Sequence, residues 1–259
     1  MALDMNALKA KLNKMNKTGT NTESFWKPTE GKTTVRIVPL KDNPSNPFIE
    51  LYFHYLGNKT YLSPISNGNR DPIAEFADEI ASGGTKEDYA QARPFRPKPR
   101  TLVPVIVRGE EDKGVRFWSF GKTVFKQLLE FISDEEIGDI TDIKNGRDLV
   151  VTYVPQEKSD TSFAKTTVMY KPSQTPLSTD VALAKKFLSE QPNVNEIYTE
   201  PTYAELKLAL EKYLDPDATS ASPKASASAS EDEDTPSATA TTKKPNKSEV
   251  MDQFDELFD

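Results

Sequence analysis

Hydrophobic residues recur at every second position through much of the chain, which is typical of β-strands with one buried face. Residues 33–40 and 48–56 show this alternation most clearly. In the second segment, the predicted core face carries Ile49, Leu51, Phe53 and Tyr55. The same pattern predicts further strands at residues 101–107, 114–120, 149–154 and 163–170.

Other segments place hydrophobic residues three and four positions apart, as amphipathic helices do. This spacing predicts helices at residues 3–15, 73–80, 122–132, 180–190 and 202–214. The last helix begins with Thr202 and Glu205, the spacing of a capping box. Residues 63–84 are interpreted as an insertion between strands, held by packing of Ile65, Ile73, Phe76 and Ile80.

Residues 92–99 alternate proline with Arg, Phe and Lys. Each proline fixes the backbone and lacks an amide donor, so we expect an exposed extended loop that projects its basic side chains.

The number and order of these elements favour a mainly β fold class, with an OB-fold (small Greek-key barrel) core, a long insertion and peripheral helices. A mixed α+β domain is the alternative. Only 36% of the residues are hydrophobic, and the shortage is concentrated in residues 215–259. We therefore predict a basic N-terminal arm at residues 1–21, a core at 22–214 and a disordered acidic tail at 215–259.

The whole chain has a formal net charge of −7, but this charge is distributed very unevenly along the sequence. Residues 215–259 hold 11 acidic residues against 4 lysines, so the rest of the chain is neutral. Within that remainder, residues 93–126 hold nine basic residues against three acidic ones, and residues 1–20 hold four lysines against one acid. A basic centre and a basic arm beside an acidic tail predict a polyanionic partner.

Several classes of chemistry are excluded by what the chain lacks. There is no cysteine and a single histidine, His54, so disulfides, thiol catalysis, thiolate zinc sites and histidine clusters are excluded. Neither a phosphate-binding nor a dinucleotide-binding glycine motif occurs. Asp134–Glu136 is interpreted as a solvated run, because no second carboxylate cluster matches its spacing. We predict no catalytic residues, and, from the lack of a long apolar run, a soluble intracellular protein.

The basic window is also aromatic. Nine basic residues of residues 93–126 are interleaved with Phe95, Phe117, Trp118, Phe120 and Phe125. Single-stranded nucleic acid needs cations for its phosphates and flat rings for its unpaired bases. Two interpretations stay open: Trp118 and Phe120 form a stacking platform beside Arg116, or they are core residues and the basic side chains form a solvated rim.

Several motifs, in order, resemble the single-stranded-DNA-binding, helix-destabilising proteins of T-even-type bacteriophages. The arm carries Ala10-Lys11-Leu12-Asn13, and the first strand region carries Phe25-Trp26-Lys27 followed by Val35-Arg36-Ile37-Val38-Pro39. The most specific motif is Val115-Arg116-Phe117-Trp118-Ser119-Phe120-Gly121-Lys122. The last motif is an acidic segment with interspersed apolar residues, Asp252-Gln253-Phe254-Asp255-Glu256-Leu257-Phe258-Asp259.

The resemblance implies a non-enzymatic protein that coats single-stranded DNA, largely without sequence specificity, during phage DNA replication, recombination and repair. The implied cleft residues are Arg93, Phe95, Arg96, Lys98, Arg100, Arg116, Trp118, Phe120 and Lys122. The arm, with Lys9, Lys11, Lys14 and Lys17, is expected to contact neighbouring protomers for cooperative binding. The tail is expected to contact replication and recombination proteins through Asp252, Phe254, Asp255, Glu256, Leu257 and Phe258.

The chain departs from the best-studied branch of that family at its zinc site of one His and three Cys. His54 matches the histidine, but Asp71-Pro72-Ile73-Ala74 stands where Cys-Pro-x-Cys would be, so we expect no zinc and no other cofactor. The arm's lysines are also spread out rather than clustered. The resemblance implies that the protein acts in the cytoplasm of an infected bacterial host. Two other functions are the alternatives to single-stranded-DNA binding: an RNA-binding or translational-regulatory OB-fold protein, and a metal-dependent nuclease.

Overall fold

The computed structural model describes residues 24–215 of the chain. The strands in chain order are β1 (Phe25–Trp26), β2 (Gly31–Ile37), β3 (Ile49–Leu56), β4 (Lys59–Leu62), β5 (Lys98–Val107), β6 (Arg116–Phe120), β7 (Arg147–Val154) and β8 (Lys165–Gln174). The helices are α1 (Pro72–Ala81), α2 (Lys86–Ala92), α3 (Lys122–Ser133), α4 (Val181–Ser189), α5 (Val194–Ile197) and α6 (Tyr203–Leu214). Short 3-10 turns occupy Pro64–Asn67, Glu111–Lys113 and Gln156–Lys158.

The described residues divide into two compact units. The first unit consists of residues 24–49 and 102–199, and the second consists of residues 50–101 and 200–215. The segment predicted as an insertion therefore belongs to a unit with its own core, to which α6, the last helix of the described residues, also contributes.

The sheet of the first unit runs in the order β1-β6-β5-β2-β7-β8. β1 pairs with β6 in parallel, whereas β2 pairs antiparallel with both β5 and β7, and β7 pairs antiparallel with β8. The main core lies between this sheet and α3. Its buried members are Trp26, Val35, Ile37, Val103, Val105, Val107, Trp118, Phe120, Val124, Leu128, Ile137, Ile140, Leu149, Val151 and Val168.

A smaller core in the first unit places α4 against the strands. Its buried members are Val38, Ile106, Val115, Leu177 and Phe187. Nearby, β2 carries a fully buried cation, Arg36, which lies 3.2 Å from Asp148 and donates to the carbonyl oxygens of Asp142 (3.0 Å) and Thr175 (2.6 Å). Burial lowers the pKa of Arg36 against the opposing attraction of Asp148. This arginine is therefore a structural cation and is not available to a ligand.

The second unit joins a β-hairpin to three helices. β3 pairs with β4 across a two-residue turn that Gly57 enters with a left-handed φ of 59°, and β3 also pairs with β5. Side chains cap each helix: Asp71 for α1, a Thr85–Asp88 capping box for α2, and the predicted Thr202–Glu205 box for α6. The core consists of Leu56, Ile73, Phe76, Ala77, Ile80, Ala81, Ala92, Phe95, Leu206, Leu210 and Leu214.

Most elements predicted from the sequence are confirmed to within a few residues. The exceptions are β1, β4, α2 and α5, which the pattern did not predict, and residues 92–99, which were expected to form one extended loop. In the structure these residues are the end of α2, a turn, and the first two residues of β5, including Pro99. Ile73, Phe76 and Ile80 pack as predicted, whereas Ile65 is exposed.

The mixed eight-stranded sheet with its helices agrees with the mainly β prediction at that level, and the OB fold stays a prediction. The predicted helix at residues 3–15, the basic arm and the acidic tail lie outside the described residues. Across residues 24–215, no helix has the length and apolar character that a membrane crossing requires.

Candidate nucleic-acid interface

Residues 93–100 of the second unit, here called the basic segment, follow α2 and include the first three residues of β5; they carry four cations and no acidic residue. Phe95 anchors this segment in the core of the second unit. Its side chain is buried, its ring lies 5.2 Å from that of Phe76 and 6.1 Å from that of Tyr213, and its amide donates to the carbonyl oxygen of Ala92. Phe95 was predicted to contact DNA; the structure corrects this, because a ring in the core offers no face to a base.

The cations of the basic segment point to the surface. Arg93, Arg96 and Lys98 are exposed, and Arg100 is half-buried. Arg96 lies 3.0 Å from Asp78, but both side chains of this pair are well exposed to solvent. An exposed ion pair of this kind contributes only about 0–1 kcal/mol, so a phosphate group can compete for the guanidinium.

Lys98 lies over an aromatic ring that the sequence pattern had placed in a core. Its Nζ atom is 5.5 Å from the centroid of the Tyr55 ring, within the range of a cation–π interaction. Leu51 and Phe53 of β3 are buried as predicted, whereas Tyr55, two residues before Gly57, is 40% exposed. The sequence feature that could have predicted this exposure is the position of Tyr55 near the end of β3, beside the turn at Gly57.

The aromatic residues of β6 lie in the core of the first unit. Trp118 is only 1% exposed; its ring packs at 5.5 Å from Trp26, its register partner on β1, and at 4.6 Å from Phe120. Phe120 is buried in the same cluster. The interpretation that Trp118 and Phe120 form a stacking platform is therefore corrected to the other one, in which both are core residues.

Several basic residues of the window 93–126 are neutralised inside the first unit. Arg116 is largely buried and donates to Glu110 at 2.6 Å, and Lys113 lies 3.1 Å from the same carboxylate. Hydrogen bonds from Arg116 and Lys113 lower the pKa of Glu110, which keeps it charged. Arg108 similarly lies 2.9 Å from Asp148. These contacts make Arg108 and Arg116 structural partners of carboxylates.

The predicted site residues thus fall into two groups. The second unit carries Arg93, Arg96, Lys98 and Arg100 in one short segment around the buried Phe95. The first unit carries Arg116, Trp118 and Phe120 on β6, and Lys122 is exposed at the start of α3. Tyr55 is the residue that the sequence-based set missed.

At His54 and Asp71, where the sequence departs from a zinc site, the structure has a buried hydrogen-bond network. His54 Nε2 lies 2.7 Å from Asp71 Oδ2, both side chains are fully buried, and the Ser63 hydroxyl donates to the same oxygen. Asp71 Oδ1 accepts from the amides of Ile73 (2.9 Å) and Ala74 (3.2 Å) at the start of α1. Burial acts to raise the pKa of Asp71, but the bonds from His54 and Ser63 outweigh it and lower the pKa.

This network does not fit a zinc ion. Both oxygens of Asp71 are engaged by protein donors, and Ala74 offers no side-chain ligand at the second cysteine position. Within the described range 24–215, no group of three or more His, Cys, Asp or Glu side chains could hold a metal ion.

Comparison with known proteins places the chain in a family. The family described as "gp32 DNA binding protein like" matches residues 29–215, which cover most of the chain and nearly all of the described part. No curated protein matches the sequence. The match spans both compact units and includes the whole basic segment. The chain therefore belongs to the gp32 DNA binding protein like family.

Proposed function

We propose that this protein is a non-enzymatic binder of single-stranded DNA, largely independent of base sequence, and that the basic segment is its main phosphate contact. The observation that carries the proposal is the local arrangement at residues 93–100: cations projecting from a backbone that the buried Phe95 holds in place. Preordering matters here, because a cation already held at the surface loses less conformational freedom when it meets a phosphate.

Sequence independence follows from the chemistry of the contact. Arginine and lysine at the surface recognise phosphate oxygens, which are the same for every nucleotide. Lys122, exposed at the start of α3, remains a proposed additional contact. Arg108 and Arg116, which are held by Asp148 and Glu110, take a structural role in this proposal.

The wider role that we propose is the coating of single strands during phage DNA replication, recombination and repair in the cytoplasm of an infected bacterial host. Family membership and the charge distribution of the sequence support it. In this proposal the lysines of residues 1–21 serve contacts between neighbouring protomers on DNA, and the terminal Phe254, Leu257 and Phe258 serve contacts with replication proteins. No zinc or other cofactor takes part.

A direct binding titration tests the proposal. Labelled oligonucleotides of several sequences, each as single-stranded DNA, duplex DNA and RNA, are titrated with the full chain and followed by fluorescence anisotropy. A label on the nucleic acid is needed because both tryptophans, Trp26 and Trp118, are buried and report poorly on a surface event. We expect the tightest binding to single-stranded DNA and little dependence on its sequence. Tighter binding to RNA would favour the RNA-binding alternative, and no binding to any of them would refute the proposal.

A further inference from the structure

The most exposed aromatic rings of the described residues lie in the second unit. Among residues 24–215, the exposed aromatic side chains are three tyrosines, Tyr55, Tyr89 and Tyr213. All three belong to the unit that carries the basic segment. The rings in the predicted aromatic cleft, by contrast, are buried, which leaves open the question of which ring a base would contact.

Tyr55 is distinguished from the other two by a basic-segment cation placed over its ring. Lys98 Nζ lies 5.5 Å from the ring centroid, and Lys98 is itself exposed. Tyr89 lies within α2 at 56% exposure, and the ring of Tyr213 packs against the anchor Phe95 at 6.1 Å. A ring and an ammonium group side by side are the two groups that one nucleotide requires, a stacking surface and a phosphate contact.

From this juxtaposition we infer that Tyr55 and Lys98 form a nucleotide subsite, in which a base stacks on the Tyr55 ring and Lys98 holds the adjoining phosphate. This inference rests on the proposed function. An exposed cation–π contact contributes only about 0.5–1 kcal/mol. A strand that offers a base to the ring and a phosphate to the ammonium therefore replaces one weak contact with two favourable ones. Without DNA, Lys98 covers the ring face that the base takes.

The backbone at Tyr55 is held by strand pairing, which does not depend on the side chain. Tyr55 pairs with Thr60 across the β3–β4 hairpin, and the turn that follows it depends on the left-handed Gly57. A smaller side chain at position 55 therefore leaves the hairpin paired, because its strand bonds are made by the backbone. Loss of the ring can then be separated from loss of the fold.

The test compares Tyr55→Ala, Tyr55→Phe and the matched control Tyr89→Ala on an oligodeoxythymidylate of about 12 nucleotides, within the usual site size of a single domain. Tyr55→Ala is expected to raise Kd roughly 5- to 150-fold, the range found for one stacked base. Tyr55→Phe keeps the ring and is expected to bind like the wild type, as is Tyr89→Ala. Circular dichroism melting of each variant checks the fold.

A second probe keeps the inference testable if Tyr55→Ala is unstable. An abasic strand of the same length retains the phosphates but offers no base, so it is expected to weaken the wild type more than it weakens Tyr55→Ala or, in its place, Tyr55→Leu. Equal affinity of folded Tyr55→Ala and wild type for the normal strand would overturn the subsite, as would equal weakening by the abasic strand. If the wild type binds no single strand at all, the proposed function fails instead.

Discussion

The rings of Phe95 and Phe76 meet edge to face, with their centroids 5.2 Å apart and both side chains buried in the core of the second unit. Phe95 lies inside the basic segment, between exposed Arg93 and exposed Arg96. One residue thus fixes the backbone while its neighbours face solvent. The segment combines a hydrophobic anchor with a charged surface, and the two functions can be separated by mutation.

Phe95→Ala is expected to lower the free energy of unfolding of the second unit by about 3–5 kcal/mol, because it removes a buried ring and leaves a cavity. Phe95→Leu, which fills much of that volume, is the control and should cost less. Denaturant unfolding followed by circular dichroism measures both. Unchanged stability of Phe95→Ala together with weaker DNA binding would instead place this ring on the DNA.

Trp118→Ala is expected to destabilise the first unit by about 3–5 kcal/mol, since the ring fills the core between Trp26 and Phe120. The same denaturant experiment measures this, with Trp118→Phe as the milder replacement. Binding by the fraction that stays folded should match the wild type. A stable Trp118→Ala protein with impaired DNA binding would restore the stacking interpretation.

The sequence predicted the positions of most elements but not which face of β6 was covered. Alternation along β6 puts Trp118 and Phe120 on one face and Val115 and Phe117 on the other, but side chains from distant parts of the chain bury both sets. Trp26 packs on Trp118, and Phe25 lies 6.5 Å from Phe117. A local pattern contains no information about such long-range partners, especially when β1 is only two residues long.

The basic segment was easier to predict than its aromatic neighbour. Residues 93–100 contain four basic residues and no acidic one, which is visible in the sequence. Burying these positive charges without partners would be costly, so their exposure could be expected. Tyr55 instead continues the apolar alternation of Leu51 and Phe53, and only the end of the strand exposes it. The partner of the buried His54 was not visible in a local pattern, because Asp71 is 17 residues away in the sequence.

Asp71→Asn is expected to lower the free energy of unfolding by about 1–3 kcal/mol, because the buried His54 and Ser63 donors lose their shared carboxylate. Asp180→Asn is the matched control: Asp180 caps α4 at the surface, and asparagine caps a helix about equally well. Thermal unfolding measures both variants.

Metal analysis of the wild type should find no stoichiometric zinc, and a chelator should leave its melting temperature unchanged. Bound zinc would contradict this account.

The same network predicts a pH dependence. Because the folded-state pKa of Asp71 lies below its ordinary value, its carboxylate contributes stability above about pH 4 and loses that contribution as the pH falls through the folded-state pKa. The stability difference between wild type and Asp71→Asn should therefore shrink in acid. A difference that stays constant down to about pH 2 would exclude the carboxylate as its source.

Removing residues 215–259 changes the formal charge from −7 to zero, and we expect tighter and faster binding to single strands at low salt. A tethered polyanion competes for the basic segment at high effective concentration, and salt screens that competition. Anisotropy titrations at low and high salt measure the effect. A full-length control with Glu231–Asp234 changed to Gln and Asn should reproduce part of it. Equal affinity of truncated and full-length protein at both salt concentrations would end the competition account.

The most direct test of the central claim, that the basic segment contacts DNA phosphates, is the salt dependence of affinity for a single strand. Wild type, Arg93→Ala, Arg96→Ala and Lys98→Ala are compared with Lys86→Ala, an exposed basic residue of the same unit outside the segment. Each substitution in the segment should weaken binding to all sequences alike and reduce the slope of log K against log salt by about 0.7, the value for one phosphate contact. Lys86→Ala should retain the wild-type slope. Slopes unchanged by all three segment substitutions would contradict the claim.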